Sequence, residues 1–249
     1  MSRGAAATPT AGAADSLESF VSVLQLSDSA FPSGRYTLSY GLEPLLAHGL
    51  LRTPASGATL VALLADTIRF GVAPSDGLAL ACTHRAVGLG ASADLELITE
   101  VDHRLTAVKI PREARQASTR TGRAVLATAT ATVDVAVLGD YAQLVREGRS
   151  PGNHAVAVGL LSSALGVPCP EAVTGELYAF CAGWAAAAVR LGLVDHRGAQ
   201  GLLHRTRSVI ADAALDVLDG DVDRISSCTP LLDVMAMRHE QAELRLFAT

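Results

Sequence analysis

The sequence predicts an all-α fold, a single-domain bundle of roughly ten helices, and two observations support it. First, 49% of the 249 residues are apolar but only 4% are aromatic, and the chain contains 44 alanines and 35 leucines. Such a composition favours helices over strands. Second, apolar residues recur at helical spacing almost everywhere, as in Leu17, Phe20, Val21 and Leu24. A chain of this length can bury its core without metals or disulfides.

Capping residues and glycines place the individual helices. The helix starts are signalled by Ser56, Ser92, Pro111 and Pro170. The glycines expected to end helices are Gly49, Gly90, Gly166 and Gly192. The predicted helices include residues 58–72, 94–108, 171–191, 195–218 and 231–247. Residues 125–137 alternate threonine with alanine and valine, but they continue the pattern that Pro111 opens, so we expect them to be helical.

The N-terminal tract, residues 1–15, consists mainly of alanine, glycine, threonine and proline. It lacks the apolar run of a signal peptide or an anchor, so we expect a tail without fixed structure, followed by one domain over residues 16–249. The longest uncharged stretches, residues 155–170 and 177–189, are shorter than the ~18 to 20 apolar residues of a membrane helix. We therefore expect a cytoplasmic protein.

Charge and motif content exclude several classes of function. The formal net charge of -5 argues against a general nucleic-acid binder. Lys109, the single lysine, lies in Ala-Val-Lys-Ile, so the chain has no P-loop. The four cysteines are separated by 87, 12 and 47 residues, which fits no zinc motif. We expect no cofactor, no metal site and no catalytic residue.

The seven histidines include no pair at the i, i+4 spacing of a helical zinc site. Two hypotheses about function nevertheless stay open. One is a metal-dependent helical enzyme built around His84, His103 or His154. The other is a general helical interaction protein. Turnover by the purified protein alone would favour the enzyme.

Residues 24–43 form the first segment that departs from the regular helical pattern. A helix ends in polar residues, and Pro32 and Gly34 signal a turn. Phe31, Tyr36 and Tyr40, three of the ten aromatic residues, cluster there. Aromatic side chains on a loop are typical of an interface, but a loop packed on its own core explains them equally well.

The C-terminus is the second such segment. Over residues 235–247, charged residues alternate with methionine, leucine and phenylalanine. This pattern predicts an amphipathic terminal helix that docks in the groove of a partner. Docking onto the chain's own body is the alternative.

Residues 24–43 resemble the opening signature of the UreF family of urease accessory proteins, which reads approximately Leu-Gln-Leu-Ala-Asp-Ser-x-x-Pro-x-Gly-Gly-Phe-x-His-Ser-x-Gly-Leu-Glu. The matching residues are Leu24, Gln25, Leu26, Asp28, Ser29, Pro32, Gly34, Ser39, Gly41, Leu42 and Glu43, with Tyr36 at the aromatic position. Two further stretches agree in order, residues 113–118 with Gly122 and residues 187–192. The tail matches at Pro230, Leu232, Asp233, Met237, His239, Glu240, Arg245, Leu246 and Phe247.

The sequence departs from the family pattern at several positions. Arg35 replaces a glycine of the turn, Leu38 replaces a histidine, and Ala242 and Glu243 stand where Leu-Tyr is usual. Arg35 requires the turn to accept a side chain, and Leu38 removes any nickel-ligand role for its position. These departures indicate a divergent member with altered partner contacts.

The resemblance implies an all-helical, non-enzymatic adaptor in the delivery of nickel to urease. Its expected partners are the UreD scaffold (also called UreH), the GTPase UreG, the urease apoprotein through that complex, and a second copy of the chain. Nucleic acid and membrane are not expected partners. The expected partner-binding residues are Phe31, Tyr36, Tyr40, Glu43, Arg190, Met237, His239, Glu240, Arg245, Leu246 and Phe247.

Arg190 ends an alanine-rich helix that is almost uncharged from Leu177 onward. One hypothesis is that its guanidinium caps the last helical carbonyls near Gly192, where the helix dipole favours a cation. The other is that it projects toward the dimer or the GTPase and clamps a carboxylate of a partner with two parallel hydrogen bonds. The sequence leaves both open.

Overall fold

The computed structural model describes residues 11–88 and 93–241, and these residues form an all-helical fold without a β-strand. The α-helices of the described part are α1 (Ala11–Ser27), α2 (Leu42–Ala47), α3 (Gly57–Thr67), α4 (Leu78–Val87), α5 (Leu95–Val108), α6 (Arg112–Thr132), α7 (Ala136–Arg146), α8 (His154–Ala164), α9 (Cys169–Arg190), α10 (His196–Val217) and α11 (Pro230–His239). The predicted fold class is therefore confirmed.

The centre of the bundle is α8, which packs against α4 and α6, while α9 packs against α10. Close packing at the α4–α8 crossing depends on Gly159, because a Cβ there would lie 2.8 Å from Leu80 O. Buried apolar residues from α2 to α11 form one core, with Trp184 and Tyr141 among its largest fully buried side chains. The helices α2 and α11, which belong to the two unusual sequence segments, contribute Leu42, Leu45 and Met235 to this core.

Most predicted helix ends agree with the structure. Ser56 precedes α3, Pro170 lies in the first turn of α9, and the left-handed Gly166 and Gly192 follow α8 and α9. The ends around residue 90 differ. Gly88 (φ 65°) ends α4, and Asp94 caps α5 by accepting a hydrogen bond from Leu97 N at 2.9 Å. Asp94 therefore has the capping position that the sequence suggested for Ser92, which, like Gly90, lies outside the described residues.

The helix predicted over residues 58–72 does not end there. It continues through a π-helix, Ile68–Gly77, directly into α4. Pro74 lies inside this π-helix, where its missing N–H and ring would disrupt an ordinary α-helix. The segment before α11 supplies replacement donors: Cys228 N donates to Phe70 O at 2.7 Å, and Ser226 N donates to Pro74 O at 3.0 Å. These bonds explain why the chain stays helical past Val72.

The helix predicted over residues 125–137 is confirmed for residues 125–132 and 136–137 and is wrong for residues 133–135. α6 ends at Thr132, and α7 begins at Ala136. Within α6, the hydroxyl groups of Thr128 and Thr130 donate to backbone carbonyls four residues earlier, which satisfies these polar side chains in a helix. Val133 and Val135 adopt extended backbone angles, which β-branched residues favour.

The first described helix begins within the predicted tail. α1 begins at Ala11, so residues 11–15, which the sequence placed in a tail without fixed structure, belong to a helix. The rest of the predicted tail, residues 1–10, lies outside the described residues.

Two helical stretches of the described chain have the length and composition of a membrane span, Gly57–Val87 and Cys169–Arg190. Both stretches contain charged residues, so neither stands out as an uncharged run in the sequence. Both contribute to the helical core, through residues such as Leu64 and Trp184, which are almost fully buried.

Candidate functional site

The two unusual sequence segments meet at one cavity of about 240 Å³, which we call the central cavity. The turn after α1 contributes Arg35, Leu38 and Tyr40 to its wall, and α11 contributes Leu232 and Asp233. Its other lining residues include Thr67, Gly71, Ser75, Asp76, Lys109, Pro111, Ser118, Thr121, His154, Glu176, Phe180 and Thr229. Segments that are distant in sequence thus form a single site.

A buried ion pair lies at the α9 side of the central cavity. Arg35 Nη1 donates to Glu176 Oε2 at 3.0 Å, and His154 Nε2 lies 3.0 Å from the same guanidinium nitrogen. His154 Nε2 is also 3.4 Å from Glu176 Oε2. His154 Nδ1 is buried without a hydrogen-bond partner among the described residues. This side of the cavity wall is therefore formed by a buried polar cluster of Arg35, His154 and Glu176.

The charges of this cluster stabilise each other. Burial of Glu176 disfavours its carboxylate, but the attraction of Arg35 and His154 outweighs this effect and lowers the pKa of Glu176 to about 2. Burial opposes the charge of Arg35 as well, but Glu176 and Tyr40 more than offset it, so the pKa of Arg35 is raised. Both side chains are charged near neutral pH.

The turn that carries Arg35 adopts its shape through its neighbours. Gly34 (φ 74°), Tyr40 (φ 52°) and Gly41 (φ 81°) have left-handed backbone angles. Arg35 itself begins a short 3₁₀ turn, Arg35–Thr37. The arginine that replaces the glycine of the family pattern therefore needs no unusual backbone, and its side chain extends into the core.

The three aromatic residues of the turn lie in different environments. The Tyr40 and Phe180 rings form an edge-to-face pair with centroids 5.1 Å apart, and a Cβ at position 183 would overlap Tyr40 Oη. Burial raises the pKa of Tyr40. Phe31 also packs against the core, whereas Tyr36 is 69% exposed. Packing on the chain's own core thus accounts for Phe31 and Tyr40, and only Tyr36 is strongly exposed for a partner.

Arg190 makes contacts that neither sequence hypothesis contained. Its Nη2 donates to Leu38 O at 2.9 Å, and its guanidinium carbon lies 4.7 Å from the centroid of the Tyr36 ring. Arg190 therefore links the end of α9 to the turn after α1. A clamp on a partner through Arg190 stays a prediction.

The end of α11 is held between two other helices by His239. His239 Nδ1 lies 3.1 Å from Glu113 Oε2 in the first turn of α6, and His239 Nε2 lies 3.5 Å from Glu43 Oε2 in α2. Glu240 Oε1 accepts a hydrogen bond from Glu113 N at 3.1 Å. Glu43 and His239 are both buried. The structure thus brings together Glu43, His239 and Glu240, which were predicted as partner-binding residues, and gives them contacts within the chain.

The opposite face of α11 is exposed. Leu231 is 52%, Val234 42% and Met237 39% exposed, and these three residues follow each other at intervals of one helical turn. We call them the α11 stripe. The remaining predicted tail residues, Arg245, Leu246 and Phe247, lie outside the described residues.

Another ion pair lies at a different part of the cavity wall. Lys109 Nζ is 2.6 Å from Asp76 Oδ2, at the end of the π-helix. Burial raises the pKa of Asp233 on the α11 side. The pairing of Arg35 with Glu176 was not predicted from the sequence. One signal was available, because Glu176 is a buried carboxylate in the interior of a largely apolar helix.

The residues of the enzyme hypothesis do not form a common site. His84 Nε2 lies 2.7 Å from Val167 O, His103 Nε2 lies 3.0 Å from Arg149 O, and His154 belongs to the Arg35 cluster. Across residues 11–88 and 93–241, no group of three or more His, Cys, Asp or Glu side chains could hold a metal ion. The geometry gives the enzyme hypothesis no support.

Comparison with known proteins identifies the family of this chain. Residues 55–207 match the family model described as UreF. The urease accessory protein UreF of Arthrobacter sp. (strain FB24) is 31% identical over 224 residues, which cover 90% of this chain and 94% of that protein. The corresponding protein of Paenarthrobacter aurescens (strain TC1) is also 31% identical over 224 residues, covering 90% of this chain and 95% of the relative.

A more distant relative agrees with these two. The urease accessory protein UreF 2 of Brucella canis is 28% identical over 234 residues, 93% of each chain. The chain belongs to the UreF family of urease accessory proteins.

Proposed function

We propose that the chain is a non-enzymatic adaptor that joins a UreD/UreH-type scaffold and a UreG-type GTPase during nickel insertion into urease. We further propose that it acts in the cytoplasm as a homodimer. The supporting observation is the two-sided α11. Its inner face is fixed to α2 and α6 through His239, and its outer face exposes the α11 stripe.

A fixed helix with an exposed apolar face suits partner binding for an energetic reason. Apolar side chains that are already ordered lose less conformational entropy when a partner covers them. Leu231, Val234 and Met237 have the one-turn spacing at which helices dock into grooves. We assign the scaffold to this surface, together with the adjoining residues 242–249.

The chemistry of the chain fits an adaptor that works through a GTPase partner. Lys109, its single lysine, is paired with Asp76 at the cavity wall and does not belong to a P-loop. Any GTP hydrolysis would therefore take place in the partner. The chain would act by favouring one conformational state of that GTPase, which requires only different contacts with the two states.

The test compares two charged variants of exposed leucines. Leu231→Glu lies in the α11 stripe, whereas Leu215→Glu lies on α10, where Leu215 is 67% exposed. We expect Leu231→Glu, combined with Met237→Glu, to lower recovery of the co-expressed scaffold by about tenfold, because a charge would be buried at the interface. Leu215→Glu should leave recovery unchanged.

Two results would contradict the proposal. Equal recovery of the scaffold by both variants would show that α11 does not bind it. A folded variant that lacks residues 233–249 and still recovers the scaffold would show the same. Purification with unrelated proteins but with neither the scaffold nor the GTPase would favour a general helical interaction protein.

A further inference from the structure

Most polar side chains in the wall of the central cavity are paired within the chain. Arg35 and Lys109 form ion pairs with Glu176 and Asp76, respectively. Three hydroxyl groups of the wall donate to backbone carbonyls four residues earlier, those of Thr67, Ser75 and Thr121. These groups are therefore satisfied without a ligand.

Asp233 differs from these groups. It lies in the first turn of α11 and lines the cavity. Burial raises the pKa of Asp233, and the effect that opposes this shift is a hydrogen bond from the Thr229 side chain, not a neighbouring cation. A carboxylate that is taken out of water without a cation costs free energy. Within the described chain, Asp233 is thus a partly buried charge without a counter-ion.

The remainder of the cavity wall is largely apolar. Its apolar side chains include Val72, Val108, Ala117, Phe180, Leu232 and Ala236. The cavity volume of about 240 Å³ exceeds the roughly 150 Å³ of a protein cavity that holds a benzene molecule. The cavity therefore has room for a group of the size of a long side chain.

The cavity opens to solvent beside the α11 stripe. Leu232 and Asp233 line the cavity and are nevertheless partly exposed, and Val234 of the α11 stripe is the next residue along the chain. Ala114 of α6, which also lines the cavity, is partly exposed as well. A partner that covers the α11 stripe would therefore reach this opening.

One carboxylate between apolar walls suits an organic cation. A divalent metal ion needs several oxygen or nitrogen ligands at once, and no group of three or more His, Cys, Asp or Glu side chains among the described residues could hold one. A guanidinium group, in contrast, pairs with a single carboxylate through two parallel hydrogen bonds. The alkyl stem of an arginine can pack along apolar surface at the same time.

We infer that the central cavity binds the side chain of an arginine that a partner inserts beside the α11 stripe, with Asp233 as the counter-ion of the guanidinium group. The inference rests on the proposed scaffold surface and adds an anchoring pocket and its chemistry. Arginine is enriched among the few residues that carry most of the binding energy of an interface. A free alkylguanidinium ion has the same chemistry, so the experiments separate the two sources.

Small probes test the chemistry of the pocket on the chain alone. n-Propylguanidinium has the shape and charge of an arginine side chain, n-butyrate has the opposite charge, and n-butanol has none. In NMR titrations, the guanidinium probe should shift the methyl signals of Val108 and Leu232 and bind about tenfold more tightly than the other two probes. Equal binding of the three probes, or shifts confined to other parts of the chain, would overturn the inference.

The variant Asp233→Asn removes the charge and keeps the shape of the side chain. It should weaken binding of n-propylguanidinium about fivefold or more. It should not lower thermal stability, because burial already disfavours the charged carboxylate. Asp212→Asn, at an exposed position of α10, is the matched control and should change neither property.

A carboxylate that only stabilises the start of α11 would give the reverse result. Asp233→Asn would then lower thermal stability and leave probe binding unchanged, and this outcome would contradict the inference. The comparison of the three probes uses the unaltered chain, so it is decisive whether or not the variant folds.

Recovery of the co-expressed scaffold identifies the source of the cation. We expect Asp233→Asn to lower this recovery about fivefold, and n-propylguanidinium to compete with the scaffold for the unaltered chain. Unchanged recovery by the variant would show that no arginine of the scaffold enters the cavity, which overturns the inference. If the unaltered chain recovers no scaffold but its probe binding still depends on Asp233, the proposed function fails, whereas the chemistry assigned to the pocket is supported.

Discussion

Two buried carboxylates near the start of α8 are stabilised in different ways. Asp102 of α5 is fully buried and accepts five hydrogen bonds from neutral groups of Tyr141, Ser150, Gly152 and Asn153, at 2.6 to 2.9 Å. Glu176 of α9 is stabilised by a cation, Arg35. Thus hydrogen-bond donors of a loop stabilise one buried carboxylate, and an ion pair stabilises the other.

The loop before α8 connects the two carboxylates. Gly152 and Asn153 bind Asp102, and the next residue, His154, contacts Arg35 and Glu176. The Asp102 network fixes the start of α8 within the core, whereas Glu176 and its partners line the central cavity. We conclude that the neutral network stabilises the fold, and that the ion pair holds the turn after α1 against the cavity.

The largest effect should come from Gly122, which lies beneath this loop. A Cβ at position 122 would overlap Gly152 O and lie 2.6 Å from Asn153 C. Gly122→Ala should therefore displace the loop and both carboxylate sites, and lower the free energy of unfolding by about 5 kcal/mol. Urea denaturation measures this change.

The control for Gly122→Ala is another helical glycine. A methyl group added at Gly139 in α7 would have no neighbouring atom within 4 Å, so Gly139→Ala should stabilise the protein by about 0.5 to 1 kcal/mol. If both variants unfold at the same urea concentration, the close approach of α6 to the loop does not determine stability.

Asp102→Asn should have the next largest effect. The asparagine amide would place its own N–H groups against hydrogen-bond donors of the loop. We therefore expect the free energy of unfolding to fall by about 3 to 5 kcal/mol. Tyr141→Phe removes only one of the five donors, so its loss should be about 2 kcal/mol. Equal losses in thermal unfolding would show that Tyr141 contributes most of the network.

Arg35→Ala should destabilise the protein by about 3 kcal/mol, because it leaves the Glu176 carboxylate buried without its cation. The double variant Arg35→Ala, Glu176→Gln removes that unpaired charge, so it should recover more than half of the loss. A double variant as unstable as the sum of the two single variants would show that the pair is not coupled.

The Glu176 ion pair should also give a specific acid sensitivity. The pKa of Glu176 is lowered from 4.5 to about 2 in the folded protein. Its stabilising effect is therefore complete above pH 4.5 and is lost as the pH falls from 4.5 toward 2. The stability lost in that range should be on the order of 3 kcal/mol. Glu176→Gln should flatten this part of the pH profile, and an unchanged slope would contradict the assignment.

Local sequence patterns were sufficient to predict the helical fold. Helical periodicity, proline at the starts and glycine at the ends identified most helices, because these signals act within a few residues. The exceptions have physical causes. The π-helix at Pro74 depends on donors from residues 226–228, which are distant in sequence. No local pattern contains such information.

The site was only partly predictable for the same reason. The turn after α1 and the C-terminal helix were both identified from sequence, but their meeting at one cavity was not. Glu43 and His239 were predicted to bind partners, yet they contact each other across 196 positions of the chain. The Arg35 and Glu176 pair joins α9 to a turn 141 positions earlier, so only the folded structure brings them together.

The smallest expected effect concerns Arg190, which contacts the same turn as Arg35 but from its exposed side. Arg190→Lys keeps a positive charge near the Tyr36 ring but loses the planar guanidinium, which both lies over the ring and donates to Leu38 O. We expect a loss of about 0.5 to 1 kcal/mol in thermal unfolding, typical of a cation–π contact at an exposed site. Arg207→Lys, on the exposed surface of α10, serves as the control and should change stability by less.

Urease activation then decides whether Arg190 also binds a partner. If Arg190→Lys activates urease fully while losing this stability, its contribution is to hold the turn. If activation falls severalfold with folding nearly unchanged, the guanidinium contacts a partner carboxylate as well, because only the arginine fork can form two parallel hydrogen bonds.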